Sequence, residues 1–134
     1  MKIWPIAAIM GLAAASAAIG GQGTIKPDTH YTDSFNRCMV AAGGSTFPMR
    51  DCQNDELGRW DGWLNQVYRA AMAKRSPAEK TGLRDSERAW LHSTRRKCDH
   101  AGHDEAGGSL QPIEVQGCYL DETIIRTVYL RSLH

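Results

Sequence analysis

The stretch WDGWLNQVYRAAMAKRSPAE, residues 60–79, decides the fold. Trp60, Trp63, Leu64, Val67, Tyr68, Ala71 and Met72 recur at steps of three and four, which is one face of an α-helix. Arg59, Asp61, Gln66 and Arg69 fall around that stripe. The stripe gives way to Ser76-Pro77-Ala78-Glu79. Serine followed three residues later by glutamate is a capping box, and proline suits the first helical position because its missing N–H would find no partner there anyway. One helix therefore stops near Arg75 and another starts at Pro77. So short a connection predicts antiparallel arms.

Working outward, the second arm runs to about Cys98, with Leu83, Glu87, Trp90, Leu91, Thr94 and Cys98 at core spacing. Residues 99–108 read as a loop. A third helix opens at Ser109 or Gln111 with Pro112 early, and turns Cys118, Ile124, Ile125, Val128, Tyr129 and Leu133 inward. Upstream, Ser45 or Thr46 caps the long helix, and a short helix covers Asp33 to Ala42 before Gly43-Gly44 stops it. The expected fold is all-α: a small disulfide-stapled domain made of an antiparallel helical hairpin with a third helix packed across it.

The 134 residues have room for one such domain. Residues 1–20 read as a secretory signal peptide: Met1-Lys2, then an apolar run from Ile3 to Ala15, then the small residues Ala15-Ser16-Ala17. A membrane anchor would need about 20 apolar residues, and Gly20-Gly21-Gln22-Gly23 ends the run first. Residues 21–32 read as a flexible leader and 33–134 as the helical domain. The expected location is the periplasm or the exterior, with no membrane insertion of the mature chain. The full chain has 16 Lys+Arg and 15 Asp+Glu; without Lys2 the cations also number 15, so the mature charge is near zero. Such a balance gives no field directed at nucleic acid.

Cys38, Cys52, Cys98 and Cys118 are an even set behind an export signal, which reads as two disulfides. The sequence-local pairing, Cys38–Cys52 and Cys98–Cys118, is favoured because each pair brackets a Gly-containing connection. No Cys-x-x-Cys exists to suggest zinc. His100 and His103 lie two residues apart on a loop without the glutamate of a zincin helix, so no metal is expected. There is no Gly-x-Ser-x-Gly elbow and no spare thiol. The carboxylate pairs Asp55-Glu56 and Asp121-Glu122 read as solvated helix surface. The chain is accordingly read as a non-enzyme without cofactors. Asp61, Asn65, Tyr68, Arg84, Arg88 and Trp90, polar and aromatic residues interleaved on the two arms, read as an inter-helix hydrogen-bond network.

Three blocks carry a resemblance. Asp61-Gly62-Trp63-Leu64-Asn65-Gln66-Val67-Tyr68 is similar to the D-x-x-L-N-x-x-Y motif of the LprI-like lysozyme-inhibitor family. Leu83-Arg84-Asp85-Ser86-Glu87-Arg88-Ala89-Trp90, with Cys98 eight residues on, resembles that family's L-R-x-x-Q-R-x-W stretch. Gly107-Gly108-Ser109, Cys118, Thr123 and Arg126 follow its third block in order. The chain departs from the pattern at Glu87, where the family has Gln, and at Thr94-Arg95, where it has Arg-Asp. The resemblance implies an exported protein that binds and blocks a lysozyme-type muramidase. A muramidase works with two carboxylates in a cleft. The segment from Arg95 to Ser109 would meet them, with Arg95, Arg96, Lys97 and Ser109 as contacts. The alternative is a non-inhibitory envelope module that binds a protein or peptidoglycan through the aromatic face of the two arms.

Overall fold

A computed structural model describes residues 24–133. The signal-peptide reading falls on residues 1–20, outside the described residues. Four α-helices follow one another: α1 (Asp33–Ala42), α2 (Thr46–Ala73), α3 (Pro77–Asp99) and α4 (Gln111–Arg131). Short 3-10 turns stand at Pro27–His30 and His103–Glu105. The domain is all-α, as the sequence predicts, and Cys38 is bonded to Cys52 and Cys98 to Cys118.

Local chemistry sets the helix ends. The Thr32 hydroxyl accepts from the Phe35 amide and caps α1, and Gly43 ends it at φ 56°. That left-handed turn favours glycine, which has no Cβ to clash. At α3 the capping box is complete: the Ser76 hydroxyl accepts from the Glu79 amide, and the Glu79 carboxylate accepts from the Ser76 amide. Ser45 stands at the N-cap of α2 without a side-chain bond.

The core is organised by α4 rather than by the two arms. Leu120 and Ile124 of α4 pack with Phe35 and Ala42 of α1 and with Cys52 and Trp60 of α2. Leu130, further along α4, packs with Leu64, Ala71 and Leu83. The α2–α4 interface is the most extensive, α3 also rests on α4, and direct contact between α2 and α3 is slight. The reason lies in the side chains. Of the 23 residues of α3, Leu83, Thr94 and Cys98 are buried, a stripe too narrow for two neighbours. In α4, Thr123 and Thr127 lose little on burial, because each hydroxyl donates to the carbonyl four residues back, at 2.7 Å. Trp63 and Trp90 are each partly buried and pack on different clusters. Trp63 meets Trp60 edge-on at 4.8 Å in the first cluster, and Trp90 packs in the second.

Part of the stretch read as a flexible leader is held by the domain. The Tyr31 hydroxyl donates to Asp121 at 2.5 Å, and the Thr32 amide and hydroxyl donate to Glu56 at 2.8 and 2.7 Å. Glu56 is fully buried, not a solvated surface residue. It also accepts from Arg59 at 2.9 Å and from the Trp60 indole N–H at 3.1 Å. Burial by itself pushes its carboxyl up, but the Thr32 donors, then Arg59 and Trp60, outweigh burial and hold it below the usual value. Asp121 goes the other way: burial raises its carboxyl, and the neighbouring charges of Glu122 and Asp28 add to that against the Tyr31 hydrogen bond and Lys97.

Candidate functional site

Two surfaces gather the residues singled out by sequence. The first is the end of the molecule where α3 passes through a loop into α4. The Cys98–Cys118 disulfide ties the end of α3 to α4, and the Tyr119 hydroxyl donates to Asp99 at 3.0 Å beside it. Gly102 has φ 71°, and a Cβ there would come within 3.1 Å of the Gln111 carbonyl oxygen and the Glu114 Cβ. The loop thus lies hard against the first turn of α4, and only glycine fits. The Gly107 amide donates to the Gln111 side chain at 3.0 Å and fixes the far limb. The loop is exposed yet braced at both ends.

The four expected contacts divide at this end. Arg95, Arg96 and Ser109 are exposed, and no ion pair is recorded for either arginine among the described residues. Lys97 is paired with Glu122 of α4. Of the four, Arg95 alone also faces the second surface.

That second surface is a groove of about 830 Å³ between α2 and α3, closed at the back by Tyr119 and Thr123 of α4. All six residues read as an inter-helix network line it: Asp61, Asn65, Tyr68, Arg84, Arg88 and Trp90. Among the described residues they do not bridge the arms. The Asn65 amide donates to the Asp61 carbonyl at 3.0 Å within α2, and Arg88 reaches Asp85 at 3.6 Å within α3. Backbone contact between α2 and α3 is slight, and each packs mainly on α4. The polar link of α3 to its support runs through Glu87 instead. The Arg126 Nε donates to Glu87 at 2.9 Å, its Nη2 lies 2.8 Å from the same carboxylate oxygen and donates to Ser86 at 3.0 Å, and the Trp90 and Tyr129 rings are 5.8 and 5.2 Å away. The glutamate that departs from the family pattern is thus the counter-charge of a buried arginine.

Sequence reasoning missed Leu57, Gly58 and Leu91 as groove residues. Leu91 has the spacing of a core residue yet is 50% exposed, since the stripe it belongs to faces the gap. Gly58 did carry a signal: a glycine inside a helical pattern destabilises by about 1 kcal/mol relative to alanine and calls for a reason. Among the described residues no three His, Cys, Asp or Glu side chains converge as a metal site would require.

An uncharacterized protein of Rhizobium meliloti (strain 1021) is 28% identical over 102 residues, spanning 66% of this chain and 73% of the relative. No solved structure matches the chain. The family described as Lysozyme inhibitor LprI matches residues 38–130, from the first cysteine to the buried Leu130 of α4. That span holds both disulfides, the braced loop and both walls of the groove, and the chain belongs to the LprI lysozyme-inhibitor family.

Proposed function

We propose that this protein is exported to the periplasm or the exterior, where it binds a lysozyme-type muramidase and blocks its cleft with the loop between α3 and α4. The observation that carries the reading is the bracing of an exposed loop at both ends, in a chain of an inhibitor family. A loop held before binding loses little conformational entropy when it docks, and the saving appears as affinity. Arg95 and Arg96 supply the free cations, and Ser109 supplies a hydroxyl. Lys97 adds less, because Glu122 already neutralises it. A guanidinium set between two cleft carboxylates would pair with them and exclude the glycan. The reading needs no catalysis by this chain and no cofactor.

The test is a muramidase assay with the mature protein and its Arg95→Glu/Arg96→Glu variant. The parent inhibits, and the variant loses inhibition while melting like the parent, since exposed charges contribute little to stability. Arg95 and Arg96 lie in the last turns of α3, just before the loop, so equal inhibition by the two would remove the end of α3 from the interface. A parent that inhibits no lysozyme-type enzyme at micromolar concentration would remove the function itself.

A further inference from the structure

The geometry points to the α2–α3 groove as a docking site for an amphipathic helix of a partner protein, aliphatic on its inner face and acidic along the edge that meets α3. Along α2 the lining runs from Asn54 to Tyr68, about 21 Å at the helical rise. That length receives about four turns of helix, and helix-in-groove recognition is a general mode of peptide capture. Leu57, Leu64 and Leu91 give an aliphatic lining, and Leu91 is left half-exposed by the described residues.

Charge selects the occupant. Arg84, Arg88 and Arg95 stand along the α3 rim at steps of four and seven, on one helix face. Among the described residues neither Arg84 nor Arg95 has a carboxylate within 4.0 Å, and Arg88 reaches only Asp85 of its own helix, with both side chains exposed. Glu87 cannot neutralise the rim because Arg126 engages it. Thr94 beside them is 4% exposed, and its hydroxyl lacks a partner among the described residues.

Gly58 alone among the glycines of α2 and α3 lines the groove, although Gly62 and Gly82 have equal room. A Cβ at Gly58 would meet nothing within 4 Å, so no contact inside the protein demands glycine. Its missing side chain lets another backbone come close to α2, as small residues do wherever helices approach closely. A sugar chain fits less well. Arg126 already lies 5.8 Å from the Trp90 ring and Tyr68 packs into the core, so the flat faces a sugar would stack on are partly taken.

The probe is a fluorescently labelled amphipathic helical peptide of leucine and glutamate, read by polarisation against the full mature protein, beside a control with every glutamate changed to lysine. The acidic peptide binds saturably, and its affinity falls with salt. Arg84→Glu/Arg88→Glu weakens it about tenfold or more, which is about 1.4 kcal/mol. Gly58→Leu blocks it without changing charge. Circular dichroism establishes that both variants are folded. Four results would overturn the site: no saturable binding up to about 100 μM, weaker than about −5 kcal/mol; equal binding of the lysine peptide; an unchanged double variant; or displacement by a chitooligosaccharide. The double variant also inhibits muramidase like the parent. If it loses inhibition, the groove is the inhibitory surface and the separate partner is refuted. If the parent binds the peptide but inhibits no muramidase, the inhibitor reading fails and the groove stands.

Discussion

Thr32 meets Glu56 twice, through its amide at 2.8 Å and its hydroxyl at 2.7 Å, across 24 positions of sequence. The same hydroxyl caps α1. One buried carboxylate therefore fixes where α1 begins and how it sits on α2. With four donors aimed at it, the ionised form is the stable one.

Glu56→Gln should destabilise the fold by about 2–4 kcal/mol, because an amide cannot accept from all four donors and turns its own N–H groups toward some of them. The effect depends on pH. The folded carboxyl sits below its usual 4.5, so its stabilisation is complete above that value and is lost as pH falls through the lowered one. Urea unfolding of parent and variant at several pH values should show a gap that is widest near neutrality and closes in acid. A constant gap would mean that charge is not what the donors hold.

Asp121 should behave in the opposite sense. Its folded carboxyl is raised above the usual 3.8, so ionisation opposes folding at neutral pH; the penalty fades as pH falls through the raised folded value and is gone below about 3.8. Asp121→Asn keeps an acceptor for the Tyr31 hydroxyl and removes the charge. It should melt at or above the parent at pH 7 and lose that advantage in acid. A variant clearly less stable at pH 7 would show that the Tyr31 hydrogen bond to the charged carboxylate, with Lys97, outweighs burial.

Arg126 and Glu87 form the buried ion pair that seats α3 on α4. Glu87→Gln should cost about 1.5–3 kcal/mol, the value of a hydrogen bond to a charged group. A double-mutant cycle with Arg126→Met should return coupling of at least about 1 kcal/mol, within the range for residues in contact. Additive losses would mean that the two side chains act separately.

The two disulfides should separate in function. Replacing either pair by serine costs about 3 kcal/mol by the loop-closure estimate, with separations of 14 and 20 residues. Only loss of Cys98–Cys118 frees the loop, so only that variant should lose muramidase inhibition at a temperature where both remain folded. Equal inhibition by the two variants would contradict the braced-loop mechanism.

Gly58→Ala should stabilise by about 0.5–1 kcal/mol, since α2 gains a better helix former and the new methyl meets nothing. Gly62→Ala is the control, with equal room and no place in the groove lining. Thermal melts should rise for both, while affinity for the acidic peptide should fall for Gly58→Ala alone.

Punctuation was the most legible part of the sequence. The box at Ser76 and Glu79, the stop at Gly43 and the sequence-local cysteine pairs rest on residues close together in the chain, so local chemistry reveals them. Glu56 was illegible because its partner Thr32 is far away in sequence and its neighbour Asp55 is exposed, so the pair looks like ordinary surface. The groove was illegible for a different reason. Periodicity tells which residues of α2 and α3 share a face, but not whether another helix fills the space before it. Leu91 and Arg88 carry the same pattern whether the arms touch or part.

Both hydrophobic clusters take their centre from α4, the helix that follows all the others in the chain. A nascent chain that has reached only the loop after α3 has Trp60, Leu64 and Leu83 with nothing to close over them. It can form the Cys38–Cys52 link, which needs α1 and α2 alone, but it has no second support for either cluster. Without residues 111–131 both clusters lose their central side chains, so stable folding is expected to wait for that segment. For the export proposed above, that order keeps the polypeptide open until α4, the last of the described helices, has followed the rest.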